Sequence, residues 1–168
     1  MSERSPAPGG LDLVETLVNT LDVETGADSL DTPQGRARFG LTEDDVPGVR
    51  ELRESLRATL LAHADHPPHR VVTPLGELLA GAPLVVTVDA ADGSAALAPA
   101  GDGSLPARVA AAVAEALVAG TWTRLKACEA ADCHWAYYDR SPAGRGRWCS
   151  MQVCGARAKM RRYRAKEA

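Results

Sequence analysis

The chain contains the segments Cys128-Glu-Ala-Ala-Asp-Cys133 and, fifteen residues further on, Cys149-Ser-Met-Gln-Val-Cys154. No other cysteine occurs among its 168 residues. Four thiolates in two close pairs suit a single tetrahedral Zn²⁺, because thiolates are soft ligands and structural zinc sites take all four ligands from protein. No position is left for water, so we expect a structural metal and not a catalytic one. The less favoured alternatives are an iron–sulfur cluster and buried reduced cysteines, for which so short a segment forms too small a core.

The residues around the cysteines predict a small zinc module. Residues 133–139 indicate a first strand, Ser141-Pro-Ala-Gly144 a turn and residues 145–148 a return strand. Cys149–Cys154 would then close the site at the opening of a final helix. The turn from Cys128 to Cys133 is called the knuckle. The order of knuckle, hairpin and helix is similar to a treble-clef finger.

Three further residues lie next to the cysteines in the sequence. We expect Trp135 and Trp148 to pack over the metal as a miniature core. His134 is a fifth candidate ligand, but it adjoins Cys133, and adjacent residues seldom both reach one ion. We therefore interpret it as a residue at the surface or beside the ligands.

A basic segment follows the last cysteine. Residues 121–168 hold 11 Lys and Arg against 4 Asp and Glu, whereas residues 1–120 hold 8 against 18. Such an asymmetry indicates a polyanion partner for the tail, or docking between the two parts. A merely solvated basic terminus is the alternative.

The basic segment has the spacing of a helix. Arg157, Arg161 and Arg164 share one face, and three further cations line the neighbouring side. Met160 and Tyr163 are spaced to anchor the helix on the finger. The candidate nucleic-acid-binding residues are Arg145, Arg147, Arg157, Lys159, Arg161, Arg162, Arg164 and Lys166. Arginine pairs with phosphate in a bidentate way and releases counterions, and a helix of this size fits a DNA major groove.

The part before the finger predicts a mostly helical domain built on aliphatic side chains. Helical spacing of apolar residues and turn residues between them define its elements. The predicted elements are a helix over Leu11–Leu21, a loop over residues 22–41, a helix capped by Thr42 and running from Val46 to Ala64, a short helix over Thr73–Ala80, a strand over Leu84–Val88, a turn at Asp92-Gly93, a returning strand over Ser94–Ala98 and a helix over Leu105–Gly120. His63, His66 and His69 flank a Pro-Pro break, so we interpret them as a solvated loop.

Composition narrows the class of protein. The chain is 45% apolar and 24% charged, as in globular proteins. Met1–Gly10 predicts a disordered arm without the apolar core of a signal peptide, and the longest apolar run is too short for a membrane span. We expect a cytoplasmic protein, in which close cysteine pairs favour a metal over disulfides. No nucleophile–base set, phosphate loop or open metal site argues for an enzyme, and Glu15, Glu77 and Asp89 are interpreted as surface acids.

Two stretches of the chain resemble known families. Leu125-Lys-Ala-Cys128 through Ser141, together with Arg147-Trp-Cys149 through Arg164, is similar to the bacterial CGNR zinc finger. Its defining tetrad here reads Cys154-Gly-Ala156-Arg157, so Ala156 stands where the family has Asn. Leu13–Leu21, with its Val-Asn-Thr run, resembles the opening helix of the ABATE domain that commonly precedes this finger. The resemblance implies a stress-related transcriptional regulator.

We therefore expect an α+β protein in three parts: a disordered arm over residues 1–10, an ABATE-like domain over residues 11–121 that is mostly helical with a small β-hairpin, and a treble-clef-like zinc finger over residues 122–168 that ends in a basic helix. The finger would bind DNA around one structural zinc. The domain before it would sense a small-molecule effector or a protein partner, or form a homodimer. Removing zinc is expected to unfold residues 122–168.

Two alternatives to DNA binding stay open. The finger could be a protein–protein module that docks an acidic partner. It could also bind RNA, with bases stacked on Tyr137 and Tyr138.

Overall fold

A computed structural model describes residues 5–101 and 103–167, without the side chain of residue 167. Its elements confirm the α+β class, with a helical N-terminal region that carries a hairpin, followed by a four-cysteine cluster with a hairpin and a final helix. The helices are α1 (Leu11–Val18), α2 (Pro33–Ala37), α3 (Val46–Ala62), α4 (Leu75–Leu79), α5 (Leu105–Val118) and α6 (Ala156–Glu167). The strands are β1 (Leu84–Val88), β2 (Ala95–Pro99), β3 (Leu125–Ala127) and β4 (Ala136–Tyr138).

The core of the N-terminal domain lies between α1, α3 and α5. Each helix repeats apolar residues at intervals of three and four, which places them on one buried face. The fully buried members include Val14 and Leu17 of α1, Leu56 of α3 and Val109 of α5. Burying such a side chain stabilises the fold by about 1.5–3 kcal/mol.

This core continues into the finger. Leu125 and Ala127 of β3 and Ala136 of β4 are completely buried in the same apolar cluster as the three helices. The Asn19 side chain also pairs with the backbone of β4, donating from Nδ2 to the Ala136 carbonyl at 3.0 Å and accepting from the Ala136 amide at 2.7 Å. The first half of the finger therefore folds as part of the domain that precedes it.

A buried arginine connects the same parts. Arg57 of α3 has no exposed surface. Its Nη2 donates to the Val18 carbonyl at the end of α1, and its Nη1 to the carbonyl of His134 in the finger, each at 2.8 Å. Its Nε lies 3.2 Å from a carboxylate oxygen of Glu54, which supplies the compensating charge.

The small hairpin projects from this core. β1 pairs antiparallel with β2 in the register Leu84↔Pro99 to Val88↔Ala95, close to the predicted strands, with Gly93 in the left-handed conformation at the turn. Val86 and Val88 are exposed on β1. The hairpin is thus a two-stranded sheet with apolar side chains toward solvent.

Two segments differ from the prediction. The predicted loop over residues 22–41 contains α2 and a 3₁₀ turn at Ser29–Asp31. Thr32 caps α2 through its hydroxyl, which accepts from the Gly35 amide. Residues 5–10, assigned to a disordered arm, make specific contacts: Arg140 donates to the carbonyls of Ser5 and Pro6 at 3.0 and 2.6 Å. Residues 1–4 of that arm lie outside the described residues.

Replacing Arg57 by Met should destabilise the zinc-loaded protein by roughly 3–5 kcal/mol, because the Val18 and His134 carbonyls lose their donors and Glu54 keeps a poorly compensated charge. Urea unfolding followed by circular dichroism measures the loss. Arg50→Met on the same helix is the matched control. Arg50 lies half-exposed beside Asp28 and Asp31, and its loss should cost about 1 kcal/mol or less. Equal losses in the two variants would contradict the role assigned to Arg57.

Candidate zinc site and basic helix

The four cysteines converge on one point. Their Sγ atoms all lie within 4.8 Å of one another. The Cys133–Cys149 and Cys149–Cys154 sulfurs are 3.6 and 3.7 Å apart, and none of the four forms a disulfide. Tetrahedral zinc with bonds of about 2.3 Å requires sulfurs about 3.8 Å apart. The cysteines therefore fit a single zinc, as in a zinc finger.

The charge of this cluster also calls for a cation. Hydrogen bonds from Cys133 and Cys149 lower the pKa of Cys128. The hydrogen bonds that Cys133 and Cys149 make with Cys128 raise the pKa of each of them, because a second thiolate would lie against the first. A bound divalent metal removes this repulsion and deprotonates coordinating thiols.

Backbone geometry places the first two ligands. The Cys128 amide donates to the Trp135 carbonyl at 3.0 Å, and the Cys133 amide to the Ala130 carbonyl at 2.9 Å. His134 follows with a φ of +48°, a left-handed conformation that turns the chain back into β4. The knuckle is therefore the turn of the β3–β4 hairpin.

The last two ligands lie at the start of the final helix. Cys154 belongs to a π-helical turn, Met151–Gly155, that runs directly into α6. The Ser150 hydroxyl caps this turn by accepting from the Val153 amide at 3.3 Å. Zinc thus fixes the point from which α6 leaves the finger.

The predicted hairpin of the finger is wrong. β4 pairs with β3, from Leu125↔Tyr138 to Ala127↔Ala136, and residues 145–148 form no strand. β3 is buried in the core and pairs along one edge of β4. Gly144 and Gly146 favour an irregular conformation over residues 140–147.

That irregular loop is held by Asp139. Its carboxylate accepts from the amides of Ser141 and Gly146 at 3.0 and 2.7 Å and lies 3.3 Å from the ammonium of Lys126. Burial raises the pKa of Asp139, but these hydrogen bonds outweigh it and lower the pKa to about 2. Lys126 also donates to the Gly144 carbonyl at 2.6 Å. The loop therefore has a defined shape without a return strand.

The aromatic residues near the zinc site lie only partly where the sequence predicted them. Trp148 packs against the cysteine cluster as expected, but Trp135 does not belong to that cluster. It lines a groove whose other walls come mainly from α1 and from Arg38 and Phe39 after α2. Tyr137 is only 3% exposed, so the prediction that it could stack on a base is wrong. Tyr138 is half-buried beneath the Arg140 guanidinium.

His134 lies beside the ligands, one of the two positions expected for it, whereas the interpretation of His63, His66 and His69 as a solvated loop is wrong. His134 is buried, with Nδ1 3.0 Å from the Cys128 carbonyl. His63 lies 2.8 Å from the Leu125 carbonyl and edge-on to Trp122, and the Nε2 of His69 lies 2.9 Å from Glu54. His63, His66 and His69 are half-buried, and the rings of His66 and His69 lie 6.2 and 5.7 Å from the ring of His134 in the finger.

The basic helix stands out from the finger. All its described side chains except Ala158 are exposed. Met160 and Tyr163 are 52% and 59% exposed, so the prediction that they anchor the helix is wrong. Ala156, which stands where the family has Asn, is exposed as well.

Only part of the helix has acidic partners. Arg157 lies 3.3 Å from Glu24 of the N-terminal domain and 3.7 Å from Asp132 of the knuckle, and Arg161 lies 4.0 Å from Asp132. Among the described side chains, Arg162, Arg164 and the two lysines of α6 make no ion pair. In the sequence Glu24 lies far from α6, so the charge asymmetry between the two parts indicated docking but did not identify this contact.

The two arginines before the helix differ in whether they form an ion pair. Arg147 forms a bidentate pair with Glu129, at 2.7 Å from Nε and 2.6 Å from Nη2. Arg145 is exposed and has no ion pair within the described part of the chain.

Removing zinc with a strong chelator should unfold residues 145–167, whereas β3 and β4 should keep their protection because the core of the N-terminal domain buries them. Zinc contributes on the order of 10 kcal/mol to finger peptides near neutral pH. Hydrogen exchange read by mass spectrometry resolves the two regions, and zinc added back should restore the lost protection. Exchange of residues 122–138 as fast as that of residues 145–167 would contradict this division and favour unfolding of the whole finger.

Comparison with known proteins agrees with these features. The CGNR zinc finger family matches residues 124–167. The ABATE family, whose description is "Putative stress-induced transcription regulator", matches residues 10–120. No curated protein matches the chain. Within the described residues, no helix has the length and apolar character needed to cross a membrane. The chain belongs to the ABATE family and carries a CGNR zinc finger after its ABATE domain.

Proposed function

We propose that this protein regulates transcription by binding duplex DNA through α6, which the zinc site holds in place. The observation that carries the proposal is the exposure of α6: all six of its cations are exposed, and more than half of the surface of Met160 and of Tyr163 is open to solvent. A 12-residue helix is marginal on its own in water. Such a helix is suited to a partner that covers it.

The chemistry of the helix favours nucleic acid as that partner. Arg and Lys side chains neutralise phosphates and release condensed counterions. A single α-helix fits the major groove of B-form DNA. The buried position of Tyr137 weakens the RNA alternative, because it removes one of the two rings proposed to stack on bases.

Zinc has a structural role in this proposal. Four thiolate ligands leave no position for substrate or water. When bound, the metal joins the knuckle to the π-helical turn before α6. The family description names a transcription regulator and no catalytic activity.

The candidate DNA contacts lie at two places. Most belong to α6, where the sequence placed six cations. Of the two arginines before it, Arg145 is free to approach a phosphate, whereas Arg147 would first have to leave Glu129. We therefore assign the main contact to the helix and a lesser one to Arg145.

The N-terminal domain is proposed to respond to a small-molecule effector, a protein partner or a second copy of the chain. A groove of about 720 Å³ lies between the start of α3 and the start of α5, lined by residues that include Phe39, Asp44 and Arg108. The exposed valines of β1 supply an apolar surface suited to a protein partner. If the protein binds DNA as proposed, it acts in the cytoplasm of a bacterium, where the DNA is.

Fluorescence anisotropy of zinc-loaded protein with a labelled duplex tests DNA binding. If the four cations of α6 without acidic partners and Arg145 each neutralise one phosphate, about five in all, the logarithm of the binding constant should fall with the logarithm of salt concentration with a slope of roughly −4.5. Absence of duplex binding even at low salt would refute the proposal. Salt-sensitive self-association without DNA affinity would instead favour the protein–protein alternative. Tighter binding to single-stranded RNA than to duplex DNA would favour the RNA alternative.

A further inference from the structure

The cations of α6 form two sets on nearly opposite faces of the helix. An α-helix turns about 100° per residue. Arg157, Arg161 and Arg164 therefore project to one side, and Lys159, Arg162 and Lys166 to the side almost directly across. The sequence interpretation that the second set lies beside the first is wrong. The first set is named here the inner face and the second the outer face.

The inner face is already engaged with carboxylates. Arg157 contacts Glu24 and Asp132, and Arg161 is within 4.0 Å of Asp132. Glu24 belongs to the N-terminal domain and Asp132 to the knuckle, so these ion pairs reach from the helix to both parts of the protein. Because no apolar side chain of α6 is buried, they contribute to the direction in which the helix points.

The same carboxylates disfavour phosphate at the inner face. An arginine paired with a carboxylate contributes little net positive potential, and the carboxylate repels an approaching phosphate. The outer face has no such partners: its three cations are exposed and, within the described residues, none is ion-paired. Tyr163 lies beside these cations and is 59% exposed.

We propose that the outer face of α6 carries the phosphate contacts and that Arg157 and Arg161 are positioning residues, which act through Glu24 and Asp132. This assignment rests on the proposed function, since it names which side of the helix meets DNA. It divides one basic helix into a contact side and a docking side. Arg164, on the inner face but without an acidic partner among the described residues, stays unassigned and is left unchanged in the tests.

Two double variants with equal loss of charge test the division. Arg162→Gln with Lys166→Gln removes two cations from the outer face, and Arg157→Gln with Arg161→Gln removes two from the inner face. Anisotropy titrations of the zinc-loaded full chain with a labelled duplex, over a range of salt concentrations, give each salt slope. Zinc content and circular dichroism check that each variant is folded.

The outer variant should reduce the steepness of the salt slope by about 1.8, because each lost phosphate contact removes about 0.9. The inner variant should keep the wild-type slope and lose at most about fivefold in affinity, as expected for exposed ion pairs. Equal loss of slope in both variants, a larger loss in the inner one, or no loss in either would overturn the assignment. Wild-type protein that binds no duplex would refute the proposed function itself, a different outcome from these.

A coupling measurement separates positioning from direct contact. Arg157→Gln should weaken binding in the wild-type background and have no further effect when Glu24→Gln and Asp132→Asn are already present. A purely direct phosphate contact predicts the same loss in both backgrounds. That result would overturn the positioning role of Arg157.

Discussion

The structure depends on one buried guanidinium. Arg57 joins the end of α1 to the zinc knuckle by donating to the carbonyls of Val18 and His134, each at 2.8 Å. A cation without exposed surface is costly unless charge and hydrogen bonds compensate it. Glu54 provides the charge. Burial raises the pKa of Glu54. A hydrogen bond from His69 and the positive charges of Arg57 and Arg53 outweigh this effect and lower the pKa to about 2, so Glu54 stays ionised.

This arrangement divides the zinc finger in a way that its family boundaries do not. The match to the CGNR finger starts at residue 124, yet β3 and β4 lie in the core of the preceding domain. The knuckle is therefore supported from both sides, by the helices and by the metal. Among the described residues, the π-helical turn and α6 contact the rest of the protein mainly through the packing of Cys154 in the cysteine cluster and the ion pairs of Arg157 and Arg161. Zinc accordingly acts as the link between a rigid core and a projecting helix, and not as the centre of an independent domain.

The difference between local and long-range information explains what the sequence could predict. Two cysteine pairs with close spacing need only local turns to form, and Asp92-Gly93 marks the loop between β1 and β2, where Gly93 takes the left-handed conformation. β3 is only three residues long, too short for a strand pattern to be recognised, and all three residues are buried, so its pairing with β4 depends on the core beneath it. Nothing in the sequence distinguishes Arg57 from a surface cation of a helix. Met160 and Tyr163 have the spacing of an anchoring pair, and spacing alone cannot show whether a surface exists for them to contact.

The charge asymmetry of the chain left two explanations open, a polyanion partner for the tail or docking of the tail on the acidic domain. The structure shows a limited form of docking, in which Arg157 reaches Glu24 while most cations of α6 stay in solvent. Docking that is confined to one face does not compete with a polyanion at the other. It can instead support binding, because a helix held in one direction loses less conformational freedom when its partner arrives. The acidic domain would then contribute to DNA recognition without touching DNA.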